Sequence, residues 1–211
     1  MTRFLKTLVV VAVFAAIAGI TDVRTVKADT VTYSTSGTFS GSGTSVLTFG
    51  GSTISFTGLS NNMATPGSQG FVFAGFGTFN LTHSGSGTDT IPAGTTFTLT
   101  ITQTSPTSDA GNIVASVTGT VSSSTDSTVF VDFGNPTTNP PPLSLGPGRV
   151  SIGGHIYGVF NTSINKPGNP TSLEGYVGET PVPEPATMLL LGTGLAGLAG
   201  AARRRMRREE E

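Results

Sequence analysis

The histidines and acids hold most of the chemical repertoire of this 211-residue chain, and their spacing limits what they can do. His83 and His155 are far apart, and neither belongs to a His-x-x-x-His or similar metal spacing. Each reads as a histidine at a turn or strand end. Asp89, Asp109, Asp126, Asp132 and Glu174 each stand alone among Ser, Thr and Gly. Hydrolysis of a glycoside needs two carboxylates at a set separation, and nothing in the spacing pairs any two of these. Asp109 and Asp89 both read as turn residues. A calcium loop of the form Asp-x-Asp-x-Asp-Gly is missing, which leaves only Asp126 or Asp132 with loop carbonyls for that chemistry. With no cysteine there is no thiol nucleophile, thiolate zinc site or disulfide. No Gly-x-Ser-x-Gly elbow accompanies a histidine and an acid in a workable order. Gly41-Ser42-Gly43 and Gly85-Ser86-Gly87 are turns, lacking the lysine and the following helix of a phosphate loop. Asn80-Leu81-Thr82 and Asn161-Thr162-Ser163 match the glycosylation triplet, as chance allows where Ser and Thr are this common. The expectation is a chain with no catalytic residues, no metal and no cofactor.

The elements that carry these residues are strands. Ser and Thr make up 51 of the 151 residues in 30–180, and no stretch has an apolar period of a helix. Thr95–Gln103 alternates, with Phe97, Leu99 and Ile101 on one face and Thr96, Thr98, Thr100 and Thr102 on the other. Ile113–Val121 repeats the pattern with Ile113, Ala115, Val117 and Val121 inward and Gly119 at an inward slot. The Pro- and Gly-bearing connection between them suits an antiparallel neighbour. Further strands are expected at Val31–Thr35, Ser45–Phe49, Thr53–Leu59, Phe71–Phe73, Gly77–Thr82, Thr128–Phe133, Val150–Ile152, Ile156–Phe160 and Leu173–Val177. Asn135–Pro147, with five prolines, and Thr162–Thr171 read as loops. The pattern predicts an all-β, antiparallel β-sandwich or jelly roll over 29–180. Phenylalanine outnumbers tyrosine 13 to 3, so it fills most of the core.

Charge divides the chain into three parts. Residues 1–28 carry a net +3, residues 29–180 a net −5 and residues 181–211 a net +1. A weakly acidic middle with Arg149 and Lys166 as its cations excludes an electrostatic nucleic-acid binder. At the N-terminus, Arg3 and Lys6 precede Leu8–Ile20, an uncharged run long enough for a signal-peptide core and too short for a bilayer of about 30 Å. Val26 and Ala28 at the −3 and −1 positions place cleavage between Ala28 and Asp29. At the C-terminus, Val182-Pro183-Glu184-Pro185 precedes the uncharged 186–202, which spans roughly 26 Å as a helix. The prolines stop that helix from extending backward. Arg203, Arg204, Arg205, Arg207 and Arg208 then hold the far end in the cytoplasm by the positive-inside rule.

A Pro-Glu-Pro motif, an apolar span and an arginine cluster, after an N-terminal signal peptide, resemble the PEP-CTERM class of exported bacterial proteins. The resemblance covers roughly 182–211. It implies processing by signal peptidase and by an exosortase-type enzyme that recognises Pro183, Glu184 and Pro185, with transient membrane anchoring through 186–202. The acidic Glu209–Glu211 extension departs from the usual basic end. The expected function is that of a non-enzymatic surface or extracellular-matrix protein, with extracellular polysaccharide as a partner class. A carbohydrate-binding module is an alternative and needs exposed aromatics; with no Trp, it has Tyr33, Tyr157 and Tyr176. An ice-binding-like surface needs the Thr96–Thr102 ladder repeated on neighbouring parallel strands. A hydrolase needs two carboxylates brought together in a cleft.

Overall fold

The computed structural model describes residues 29–135 and 141–180, together with 190, 192–194, 196 and 197 in helical conformation. The predicted signal peptide with Ala28, the motif Val182–Pro185, most of the span 186–202 and Arg203–Arg208 lie outside the described residues. Among the described residues, no helix is long and apolar enough to cross a membrane.

The described chain is built from antiparallel strands: β1 (Val31–Phe39), β2 (Val46–Phe49), β3 (Ser52–Thr57), β4 (Asn62–Ala64), β5 (Phe71–His83), β6 (Asp89–Thr90), β7 (Thr96–Ser105), β8 (Asp109–Thr118), β9 (Thr120–Ser123), β10 (Asp126–Ser127), β11 (Val129–Asp132), β12 (Arg149–Ile152), β13 (His155–Val159), β14 (Thr162–Ile164) and β15 (Thr171–Glu179). One six-stranded sheet runs β14-β11-β8-β7-β1-β4, a second runs β12-β13-β15-β5-β3-β2, and a small one runs β10-β9-β6. Alternation fixes which face is buried. Phe97, Leu99 and Ile101 of β7 are fully buried, beside Val31, Tyr33 and Phe39 of β1. The second sheet supplies Ile54, Phe56, Phe76, Phe79, Leu81, Tyr157 and Val159 to the same cluster. Phe97 marks where the sheets meet, its ring centroid 4.9 Å from Phe56 and 5.0 Å from Phe79. One polar chain crosses this interior: Tyr157 Oη donates to Gln103 Oε1 at 2.7 Å, and Gln103 Nε2 donates to the Thr107 carbonyl at 2.9 Å.

The strand expectations fail where backbone geometry is irregular. Phe71–Phe73 and Gly77–Thr82 are one strand, interrupted by a shift in register. Leu173 pairs with Gly77 but Glu174 pairs with Gly75, leaving Phe76 as an extra residue on β5. Phe76 and Gly77 then both face inward, and the inside–outside parity of β5 reverses across them. Gly77 has φ 139°, which a side-chain-bearing residue rarely adopts. Carbonyls at the bulge accept from the facing sheet: Tyr33 Oη reaches Gly75 O at 2.7 Å and Thr35 Oγ1 reaches Phe76 O at 2.7 Å.

The predicted strand Ile113–Val121 is broken at Gly119 (φ 120°), where β8 passes into β9; its four inward residues are nevertheless buried. The predicted loop Thr162–Thr171 contains β14, which pairs with β11, and the first residue of β15. Of Asn135–Pro147, the described residues carry no strand, as their prolines require.

Candidate functional site

The register shift in β5 shapes a groove on the outer face of the second sheet. Outward-facing residues there form rows across β15 and β5: Tyr176 opposite Phe73, Glu174 opposite Gly75, and Ser172 opposite Thr78. Gly75 places no side chain in the middle row, so the surface dips between Phe73 and Thr78. The resulting open cavity of about 710 Å³ is lined in part by Leu59, Phe73, Thr78, Phe160, Ser172 and Glu174. Glu174 is the one charged residue of the lining.

An aromatic wall closes one side. The Phe73 ring stands 6.2 Å from Phe160, which lies 5.8 Å from Tyr176. Phe160 and Tyr176 are buried in a separate small cluster with Ile156, against which Leu143 packs. Tyr176 Oη donates to the Pro142 carbonyl at 2.6 Å, so the proline-rich stretch covers this end of the face. Arg149 fixes that stretch through Ser144 O at 3.2 Å and Asn135 Oδ1 at 3.1 Å. Asn161 adds a brace, its Oδ1 accepting from the Phe133 and Asn135 amides. Phe73 itself stays 52 % exposed.

Tyr33, Tyr157 and Tyr176, the aromatics expected to serve a carbohydrate site, are all fully buried and unavailable as platforms. Among the described residues, Phe73 is the most exposed of the large aromatic side chains. Its signal was hidden because Phe71-Val72-Phe73-Ala74 is apolar at every position and reads as a buried run.

A second arrangement was not visible in the sequence. Ser52, His83 and Asp89 converge where the start of β3 pairs with the end of β5. Ser52 Oγ donates to Asp89 Oδ2 at 2.7 Å and lies 2.9 Å from His83 Nδ1, while Asp89 Oδ2 is 3.2 Å from the same nitrogen. The Gly51 amide also donates to Asp89 Oδ2, at 3.0 Å. A nucleophilic triad places histidine between the hydroxyl and the acid. Here the serine proton goes directly to the carboxylate, leaving His83 Nδ1 to donate to Ser52, and His83 Nε2 is buried without a partner. Ser52 is fully buried, so no substrate reaches its oxygen. The group is a polar clamp joining β3, β5 and β6. Asp89, expected in a turn, lies instead in β6, paired with Val121 of β9.

The Ser52 hydroxyl above all, with help from the Gly51 amide and His83 and against some desolvation, holds the Asp89 carboxyl below its ordinary value. A depressed folded pKa stabilises the fold above the unfolded carboxyl's 3.8, and that contribution is lost as pH falls through the folded value. Thermal unfolding between about pH 2 and pH 5 should therefore show a steeper acid-side fall for the native chain than for Asp89→Asn. Parallel curves would mean that the clamp contributes nothing.

The other acids stay apart. Asp109, expected in a turn, opens β8 and accepts from the Ala110 and Gly153 amides; Asp126 accepts from Ser122 Oγ, and Asp132 from the Gly134 amide. His155 opens β13 and is buried. Among the described residues, no three His, Cys, Asp or Glu side chains gather as a metal site.

The threonine ladder gains a neighbour: Ser34, Ser36 and Thr38 of β1 stand in register with Thr102, Thr100 and Thr98 of β7. These strands are antiparallel, and on the far side Ala110, Asn112 and Val114 end the hydroxyl rows.

Residues 181–205 match the PEP-CTERM protein-sorting motif. No curated protein and no solved structure matches the chain.

Proposed function

We propose that this chain, whose C-terminal tail carries the PEP-CTERM sorting motif, is an exported bacterial surface or extracellular-matrix protein, sorted by an exosortase-type system and without enzymatic activity. The observation that carries the reading is the match over 181–205. On this reading a signal peptide, 1–28, is removed between Ala28 and Asp29. Pro183, Glu184 and Pro185 are recognised by the processing enzyme, the span 186–202 holds the chain in the inner membrane, and Arg203–Arg208 keep its end cytoplasmic. The exported part is a β-sandwich over 29–180. Two observations support a non-enzymatic role. The one Ser–His–Asp cluster among the described residues is sealed at Ser52, and Glu174 has no second acid in the groove's lining.

Intact mass of the protein recovered from its native host tests the route. The expected mass corresponds to a chain beginning at Asp29 and ending near Pro183–Pro185, with any excess at the new C-terminus reporting an attachment. A mass that retains 186–211 would make the chain a permanent single-span membrane protein and overturn the sorting step. Retention of 1–28 would overturn the N-terminal cut.

A further inference from the structure

We propose that the groove over Gly75 binds a neutral polysaccharide chain, one sugar ring stacking its apolar face on Phe73 and donating hydroxyls to Glu174. The proposal rests on the export reading for the compartment in which such a chain is met. Its cavity of about 710 Å³ falls within the roughly 300–1,000 Å³ of small-ligand sites.

The lining selects the ligand by chemistry. Its one charge is a carboxylate, which only accepts hydrogen bonds, so the ligand must present donors. No cation lines the groove to neutralise phosphates, sulfates or uronates. A lipid chain would cover Glu174, Ser172 and Thr78 without pairing them, at a desolvation cost. A pyranose has one apolar face and a rim of hydroxyls, matching an exposed ring beside a carboxylate and several hydroxyl side chains, Ser172 and Thr78 among them. Phe73 is held ready for stacking because Phe71, at 5.6 Å, and Phe160 flank its ring. Little ordering is therefore left to occur on binding.

Gly75 supplies a direct probe. A Cβ built there meets only Leu59 Cδ1, at 4.0 Å, so a larger side chain enters the groove without striking the core. The test uses the full chain in a zwitterionic, sugar-free detergent, run on native gels cast with dextran, hydroxyethyl cellulose or galactomannan. At least one of these should retard the protein. Phe73→Ala and Glu174→Gln should each weaken that retardation about tenfold or more, and Gly75→Leu should abolish it. Val114→Ala, which alters a residue 57 % exposed on the other sheet, should leave it unchanged. Melting curves accompany each variant, and if Phe73→Ala fails to fold, Gly75→Leu decides.

No retardation by any of the three polymers would overturn the proposal, as would retardation that Gly75→Leu leaves intact. Failure here with both terminal cuts confirmed by mass would remove the groove's ligand alone. An uncut tail with retardation intact would remove the sorting route alone.

Discussion

Phe97→Ala should lower the unfolding free energy by about 3–5 kcal/mol, the largest loss expected from any single truncation in this core. Phe97 is fully buried, and four rings surround it at centroid distances of 5.0 Å (Phe39), 4.9 Å (Phe56), 5.0 Å (Phe79) and 6.4 Å (Phe133). Phe56 and Phe79 belong to the second sheet, so the lost ring bridges the two halves of the core. The hole would collapse poorly, because β7 is held in place by ladders to β1 on one side and β8 on the other. The cost then approaches transfer plus cavity rather than transfer alone. With no cysteine in the chain, no disulfide offsets the loss, and domains of this kind have only about 5–15 kcal/mol in total. Urea unfolding should show a lower midpoint with an unchanged slope. Phe130→Ala, at a site 36 % exposed, should cost less than half as much. A loss below about 1 kcal/mol at Phe97 would mean that the two faces do not interlock there.

How much could be read beforehand depended on whether a signal was local. The alternation of Thr95–Gln103 and Ile113–Val121 was enough to place β7 beside β8 and to name their buried residues, because period two is fixed by strand geometry alone. The sorting motif was legible for a similar reason: it is a linear arrangement of Pro-Glu-Pro, apolar run and arginines, and it matches over 181–205. The continuous strand β5 was not legible, since one extra residue at Phe76 reverses parity and makes Phe73 and Phe79 face opposite ways. Ser52–His83–Asp89 was hidden more deeply. Its members meet only through the register of β3 on β5 and the placement of β6, and Ser52 is one hydroxyl among many. The candidate groove combines both difficulties, because its dip comes from Gly75 at the bulge and its wall from Phe160 and the proline-rich stretch, distant in sequence.

Tyr33, Tyr157 and Tyr176 should resist ionisation near their ordinary value and lose their protons together as the fold is lost. All three are fully buried, and each phenol has a fixed acceptor: Gly75 O, Gln103 Oε1 and Pro142 O respectively. Burial is the leading cause of the upward shift in every case. The bond from Asn62 to Tyr33 and the field of Arg149 at Tyr176 oppose it in part, while Tyr33 adds to it at Tyr157. For an acid whose folded value is raised, the stabilisation is complete below the unfolded phenol's 10.0 and is lost as pH climbs above it. The chain has three tyrosines and no tryptophan, so phenolate absorbance in the near ultraviolet reports these side chains without interference. In urea the phenols should titrate smoothly near pH 10, whereas in the native protein the signal should stay flat past that point and then rise steeply with loss of β circular dichroism. Tyr33 carries a further consequence, since its hydroxyl holds the bulge carbonyl of Gly75 beneath the groove. Tyr33→Phe should therefore remove one phenol from the alkaline step and weaken polysaccharide retention without altering Phe73 or Glu174. Smooth titration of the native protein near pH 10, with its β-sheet signal intact, would show that these phenols are reached by water and that the interior is looser than its packing implies.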